Sequence, residues 1–117
     1  KLSFGQTAEL IARSKGFVGP DTGTTHVASS TGVPIVTLFG PSDPTAWGPW
    51  GRGQTKPFDS RNDGVPQRRG NVILLKKNCK CQGGMGCLNH RDSHSDCLNE
   101  LTVDEVWDAL KELEVVA

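Results

Sequence analysis

The apolar positions of the first forty residues alternate between helical and strand-like spacing. Residues 3–6 have the form of a capping box, with Ser3 as the N-cap and Gln6 reaching back to it. The first predicted helix has an apolar face of Ala8, Leu10, Ile11 and Ala12 and ends with Gly16 as its C′ residue. A short buried strand over 17–19 follows, and then a short helix from Thr24 or Thr25 to Gly32. The next predicted element is a strand over 33–40 that is buried on both faces. This alternation predicts an α/β fold with a parallel sheet.

The second half of the chain is less regular. Residues 41–70 are rich in glycine and proline and predict a long functional loop, with one irregular strand around 54–58. Residues 71–77 predict another strand, and the cysteine-bearing segment 78–98 follows. A second capping box, from Thr102 to Glu105, opens a C-terminal helix over 102–114. Its predicted apolar stripe consists of Val103, Val106, Trp107, Leu110 and Leu113.

Composition limits the classes of function. The chain has 117 residues, the size of one domain, and its 13 basic and 13 acidic residues cancel. This balance gives no general electrostatic reason to bind nucleic acid or a membrane. No apolar run approaches the roughly 20 residues of a membrane span, and nothing at the N-terminus has the pattern of a signal peptide. Because the chain begins without Met at a helix start, we expect a piece of a longer protein.

The joint between the second and third elements carries the chemistry. The stretch GPDTGTTH places Asp21, Thr22, Gly23, Thr24 and His26 where a parallel strand ends and a helix begins. Ligands of open parallel sheets bind at this edge, and a helix N-terminus offers free N–H groups to a phosphate. Gly23 would let the phosphate approach, whereas the acidic Asp21 suits sugar hydroxyls. The alternative is a capped turn with a structural histidine.

The stretch FVGPDTGTTHVASSTGVPIVTLFGPSDPTAWGP resembles the signature of the heptosyltransferase family of glycosyltransferases. The resemblance is close over residues 1–50 and looser to the C-terminus. It implies a Rossmann-like parallel sheet that is part of the C-terminal, nucleotide-sugar-binding domain of a two-domain GT-B enzyme, with residues 1–117 belonging to that domain. Thr22, Gly23 and Thr24 would hold the diphosphate, Asp21 would contact the sugar, and His26 would support the phosphate end. Leu2 aligns with a position against the adenine ring, or it is a staple residue of the first helix.

The same resemblance implies the reaction. The enzyme would transfer a heptose or related sugar from an ADP-sugar to a lipopolysaccharide-core or other glycan acceptor, without a required cofactor. The catalytic base would be an Asp of the N-terminal domain, so no catalytic residue is expected in this chain and the chain alone is expected to be inactive. The implied place is the cytoplasm, at the inner face of the bacterial inner membrane. A UDP-sugar transferase or an epimerase of the same fold is the alternative.

The loop after residue 40 is expected to line the same cleft. Ser42 and Asp43 would contact the donor or orient the loop, and Trp47 and Trp50 would stack on a sugar or pack on a domain. Five basic residues, Arg52, Lys56, Arg61, Arg68 and Arg69, would suit an anionic acceptor or form a solvated loop. Residues 59–70 resemble an insertion relative to the family and have no functional interpretation.

The cysteines are clustered near the C-terminus. Cys79, Cys81, Cys87 and Cys97 supply the four thiols of a tetrahedral structural zinc site, and His90 or His94 could replace one of them. The spacing between the first two is tighter than in zinc knuckles, so reduced buried thiols and disulfides remain alternatives. A zinc-stabilised interaction module attached to an α/β domain is therefore a second class of function.

Overall fold

The computed structural model describes residues 1–40, 42–60, 63–77, 98 and 100–116 of the chain. The four cysteines and Arg61 lie outside the described residues. The elements, in chain order, are helix α1 (Phe4–Ala12), strand β1 (Phe17–Pro20), helix α2 (Gly23–Thr31), strand β2 (Ile35–Phe39), helix α3 (Pro44–Trp47), strands β3 (Gln67–Arg69) and β4 (Val72–Lys76), and helix α4 (Val103–Glu112).

The four strands form one sheet in the order β1-β2-β4-β3. Strands β1, β2 and β4 are parallel, with Phe17 opposite Ile35 and Ile35 opposite Val72. The prediction of a parallel sheet is therefore confirmed for the two pairings that join these three strands. It is wrong for β3, which runs antiparallel to β4 along the outer edge. The connection between β3 and β4 is a tight turn that contains Gly70, and a turn of that length reverses the chain.

Helices cover the two faces of the sheet with separate cores. Helices α1 and α2 pack on one face around a cluster formed by Ile11, Ala28, Val33, Ile35, Phe39, Phe58, Val72 and Leu74. Helix α4 packs on the other face over Val36, Ile73 and Leu75, through Ala109 and Leu113. Because β2 and β4 lie between these layers, their residues are buried on both faces, as the β-branched run predicts.

Helix α1 is shorter than its sequence pattern predicts. The capping box at Ser3 is confirmed, but the helix ends at Ala12 with Arg13 as its C-cap. The hydroxyl of Ser14 donates to the carbonyl of Ile11 at 2.6 Å and so occupies an acceptor that a longer helix would use. Gly16 is consequently not the C′ residue. A Cβ there would lie 3.0 Å from a methyl group of Val115, so its small size serves packing. Leu10, predicted on the apolar face, is exposed.

The predicted strand around 54–58 is absent from the structure. Phe58 instead inserts into the core, and the buried side chain of Gln67 holds the neighbouring backbone in place. It accepts from Asp59 N at 2.7 Å and donates to the Asp59 carbonyl at 2.9 Å. A strand forms only at 67–69, so part of the predicted insertion supplies an edge strand.

The apolar stripe of helix α4 is only partly buried. Its capping box at Thr102 is confirmed, but Val103 is 82% exposed and Trp107 is half exposed. Both line a groove of about 450 Å³, together with Pro20 and Leu38, beside the edge strand β1. The helix contacts the sheet through positions 106, 109, 110 and 113 instead, so its buried face begins one turn after Val103.

An ion pair fastens the start of α4 to the end of β4. Lys77 Nζ lies 2.7 Å from Glu105 Oε2, and Glu105 Oε1 accepts from the backbone N–H of Thr102. Burial acts to raise the pKa of the Glu105 carboxyl, but the hydrogen bonds from Lys77 and Thr102 outweigh it and lower the pKa below the ordinary value of 4.5.

We expect Glu105→Gln to remove this charge while it keeps the capping oxygen. A lowered folded-state pKa contributes stability above the unfolded-state pKa, and this contribution is lost as the pH falls through the folded value. The variant should therefore lose up to about 1 kcal/mol of unfolding free energy at pH 7. The difference from the wild type should shrink as the pH falls below 4.5, the ordinary value.

Denaturant unfolding across this pH range measures the difference, with Glu9→Gln as the matched control. Glu9 pairs with Arg13 on α1, where both side chains are mostly exposed, so its loss should change stability little at any pH. A difference for Glu105→Gln that does not vary with pH would contradict the assignment.

Candidate nucleotide-sugar cleft

The candidate site is a cleft of about 510 Å³ at the carboxyl ends of β1 and β2. Its lining consists of Asp21, Thr22, Gly23, His26, Ser42 and Trp47. The first four come from the β1–α2 joint and the last two from the segment after β2. The structure thus brings together five of the residues that the sequence singled out for donor binding, together with Trp47, which the sequence placed in the loop expected to line the same cleft.

Helix α2 begins with unsatisfied backbone donors at this cleft. Thr22 is the N-cap, but its side chain makes no capping hydrogen bond. Its carbonyl accepts from the N–H groups of Thr25 and His26 at 3.1 and 3.4 Å. Within the described part of the chain, the N–H groups of Gly23 and Thr24 have no acceptor. They are therefore available to an anion, together with the positive end of the helix dipole.

Close packing fixes the position of this helix start. The hydroxyl of the buried Thr25 donates to the Pro20 carbonyl at 2.6 Å, which ties the first turn of α2 to the last residue of β1. A Cβ at Gly19 would lie 2.9 Å from that hydroxyl and 2.6 Å from the ring of Phe17. Thr25 thus has a structural role that the sequence pattern did not reveal.

Gly23 is not required by the folding of the joint. Its φ is not positive, and a Cβ built on it meets nothing within 4 Å. An alanine would therefore fit the backbone and the packing, and its methyl group would project into open space beside the free N–H groups. Neither a turn nor a close contact between elements requires a glycine at this position. The absence of a side chain instead leaves room for a ligand.

Asp21 and His26 face each other across the cleft. His26 Nε2 lies 3.9 Å from Asp21 Oδ1, at the outer limit of an ion pair, and the histidine is about half exposed. The distance leaves both side chains free to turn to a ligand. Thr24 is exposed on the first turn, and its side chain does not line the cleft.

Leu2 lies away from the described cleft. It precedes the N-cap of α1 and is 53% exposed, and it does not line the cavity. The staple alternative would need an apolar residue at position N4, which is Thr7. The staple interpretation therefore fails, and the contact with adenine stays a prediction.

The segment after β2 forms the second wall, and Asp43 orients it. Asp43 Oδ1 accepts from the N–H of Thr45 at 3.0 Å and from the hydroxyl of Ser60 at 2.7 Å, which makes Asp43 the N-cap of α3. Ser42 lines the cleft directly. Of the two roles predicted for this pair, loop orientation fits Asp43 and donor contact fits Ser42.

The described arginines of the basic loop, Arg52, Arg68 and Arg69, lie at the opposite end of the sheet. The side chain of Arg52 packs over Gly32, the left-handed C-cap of α2. The backbone N–H of Arg52 donates to Oδ1 of Asn71, the residue before β4. Arg68 pairs with Glu112 and Arg69 with Asp59, each at 3.4 Å. These contacts are near the amino ends of the strands. These three arginines therefore serve the fold and lie away from the cleft, which does not support an acceptor site formed by them.

Lys76 is a residue that the sequence analysis did not single out. It is the last residue of β4 and is buried, and its ammonium donates to the Gly40 carbonyl at 2.6 Å. Among the described residues no carboxylate pairs with it. The next residue, Lys77, pairs with the carboxylate of Glu105 nearer the surface. Lys76 instead anchors the start of the segment that carries Ser42 and Trp47.

The described residues provide no other candidate chemistry of the kinds expected. No group of three or more His, Cys, Asp or Glu side chains within them is arranged to hold a metal ion, and the cysteine segment lies outside them. None of the helices in this part of the chain is long and apolar enough to cross a bilayer. The zinc site and the interaction module therefore remain predictions.

The chain belongs to glycosyltransferase family 9, the heptosyltransferases, whose family profile matches residues 1–76. It is 39% identical over 54 residues to lipopolysaccharide heptosyltransferase 1 of Pseudomonas aeruginosa, which covers 46% of this chain and 15% of the relative. It is 34% identical over 50 residues to lipopolysaccharide heptosyltransferase 3 of Escherichia coli, covering 43% and 15%. The alignments thus span only 15% of the length of each of these relatives. No solved structure matches significantly.

We expect Lys76→Met to disturb the second wall of the cleft. The substitution keeps the apolar stem but leaves the buried Gly40 carbonyl without its donor, which costs about 1–3 kcal/mol when uncompensated. Amide shifts should change at Gly40, Ser42 and Trp47.

The adjacent lysine is the matched control. Lys77→Met removes the pair with Glu105 and should shift the amides at the start of α4 instead. If Lys76→Met left the segment after β2 unchanged, the anchoring role would be wrong.

Proposed function

We propose that this chain carries the donor-binding site of a heptosyltransferase that transfers a heptose, or a related sugar, from an ADP-sugar to a lipopolysaccharide-core acceptor. The observation that carries the proposal is the pair of N–H groups at Gly23 and Thr24 that have no acceptor among the described residues. They lie at the start of a helix where Thr22 and Gly23 line the cleft, and the fold does not need a glycine at position 23. Membership of family 9 supports the reaction class.

The residues of the β1–α2 joint would each bind a different part of the donor. The N–H groups of Gly23 and Thr24 and the hydroxyl of Thr22 would bind the diphosphate, with His26 as an additional donor. Asp21 would accept from sugar hydroxyls, because a carboxylate repels phosphate. The volume of the cleft is within the range of small-molecule sites.

The same donors would assist the reaction as well as binding. When an acceptor hydroxyl attacks the anomeric carbon, the bond to the diphosphate breaks and negative charge collects on the leaving oxygens. Preorganised N–H groups and a helix dipole stabilise that charge more than the ground state. The base that takes the acceptor proton is expected from another domain, as the family resemblance implies, and no residue of the described cleft is assigned to that role.

Titration of the folded chain with ADP, and with UDP in parallel, tests the donor class. We expect amide shifts concentrated at residues 21–26 and at Ser42, with tighter binding of ADP. A preference for UDP would support the alternative of a UDP-sugar enzyme with the same cleft. Absence of shifts in a chain shown to be folded would contradict the nucleotide site.

Gly23→Ala separates a binding role from a folding role. The methyl group would crowd the phosphate and weaken at least one charge-assisted hydrogen bond, so ADP affinity should fall about tenfold or more. Unfolding free energy should be unchanged or slightly higher, because alanine suits a helix better than glycine.

Gly5→Ala is the matched control for this variant. Gly5 occupies the first turn of α1, where an added Cβ also meets nothing within 4 Å. Its substitution should have the same small effect on stability and none on ADP affinity. Equal affinities for the two variants and the wild type would exclude phosphate from the start of α2.

A further inference from the structure

The cleft contains an aromatic side chain to which the proposed phosphate site gives no role. Trp47 lines the cleft with the residues of the β1–α2 joint and is 48% exposed. An exposed indole of this size has a large apolar face that can be buried only by a partner. Trp50, three residues later, is 51% exposed but does not line the cleft.

The backbone around Trp47 is held by hydrogen bonds. The backbone N–H of Trp47 donates to the Asp43 carbonyl at 3.0 Å, and the backbone N–H of the next residue, Gly48, donates to the Pro44 carbonyl at 2.8 Å. Thr45 fastens the short helix to the core by donating to the carbonyl of the buried Phe58 at 2.8 Å. The indole is therefore presented by a braced helix, and binding to it would lose little conformational entropy.

The polar groups around the indole favour a sugar ring over a nucleobase. Asp21, Thr22 and Ser42 line the same cleft and supply a carboxylate and two hydroxyls. A sugar has several hydroxyls that donate and accept, whereas the edge of an adenine offers one donor group. An apolar face beside many hydrogen-bonding oxygens matches a pyranose, which has C–H faces and a polar rim.

We propose that Trp47 is the platform on which the sugar ring of the donor stacks, a specificity-determining role that rests on the proposed function. The diphosphate would lie at the start of α2 and the sugar would extend from it towards α3. The indole would then contribute to the binding of a nucleotide sugar but not to that of the nucleotide alone.

Affinities for ADP and ADP-glucose test this assignment. The wild type should bind ADP-glucose more tightly than ADP. Trp47→Ala should weaken ADP-glucose binding about fivefold and leave ADP binding within about twofold, as expected for one lost ring contact. Trp47→Phe should retain most of the difference, and the control Trp50→Ala should retain all of it.

Each of the other results would contradict the role of Trp47 as the surface on which the sugar stacks. Equal weakening of both ligands by Trp47→Ala would place the indole against the nucleotide, and no weakening would remove it from the site. Equal affinity of the wild type for the two ligands would exclude a sugar contact. A wild type that binds neither ligand would overturn the nucleotide site itself, which Gly23→Ala probes independently.

A second measurement does not depend on the stability of Trp47→Ala. Substitution of Trp50 and Trp107 by Phe leaves Trp47 as the single indole. Addition of ADP-glucose should change its emission, and ADP should change it much less. Identical responses to the two ligands would contradict the proposal.

Discussion

The hydrogen bond from the Thr25 hydroxyl to the Pro20 carbonyl is the contact on which the cleft depends. It joins the first turn of α2 to the last residue of β1 at 2.6 Å, and it is possible only because Gly19 has no side chain to separate the two elements. With the helix start held there, the carbonyl of Thr22 is occupied from within the helix. The N–H groups of Gly23 and Thr24 then have no acceptor among the described residues, at the edge where neighbouring strands also end.

Local patterns predicted the elements and the joint well. Ser3 and Thr102 begin their helices as their capping boxes indicate, because a cap depends on four consecutive residues. The run ending at Phe39 is a strand buried on both faces, because β-branched residues without alternation fit a central position. The grouping of residues 21–26 with Ser42 followed from topology, since parallel strands end at a common edge.

The features that the sequence did not predict depend on distant partners. Lys76 and Lys77 are consecutive and chemically identical, yet one is buried against Gly40 and the other pairs with Glu105. The arginines of the loop resemble an anion site in the sequence, but the register of β3 places Arg68 and Arg69 opposite Ile73 and Val72, at the amino end of β4. Likewise, the spacing of apolar residues in α4 predicts which residues share a face of the helix, but not how far the sheet extends beneath them. The sheet ends at β1, and Val103 and Trp107 stay exposed.

The cleft is built from a short part of the chain with two independent supports. All of its lining residues lie between Asp21 and Trp47, inside the segment that matches the family. One wall is held by the contact between β1 and α2, and the other by Asp43, Thr45 and the buried Lys76. Helix α4 packs on the other face of the sheet from α1 and α2, through Ala109 and Leu113. A ligand that bridges the two walls would couple them, because it would contact both the helix start and the indole.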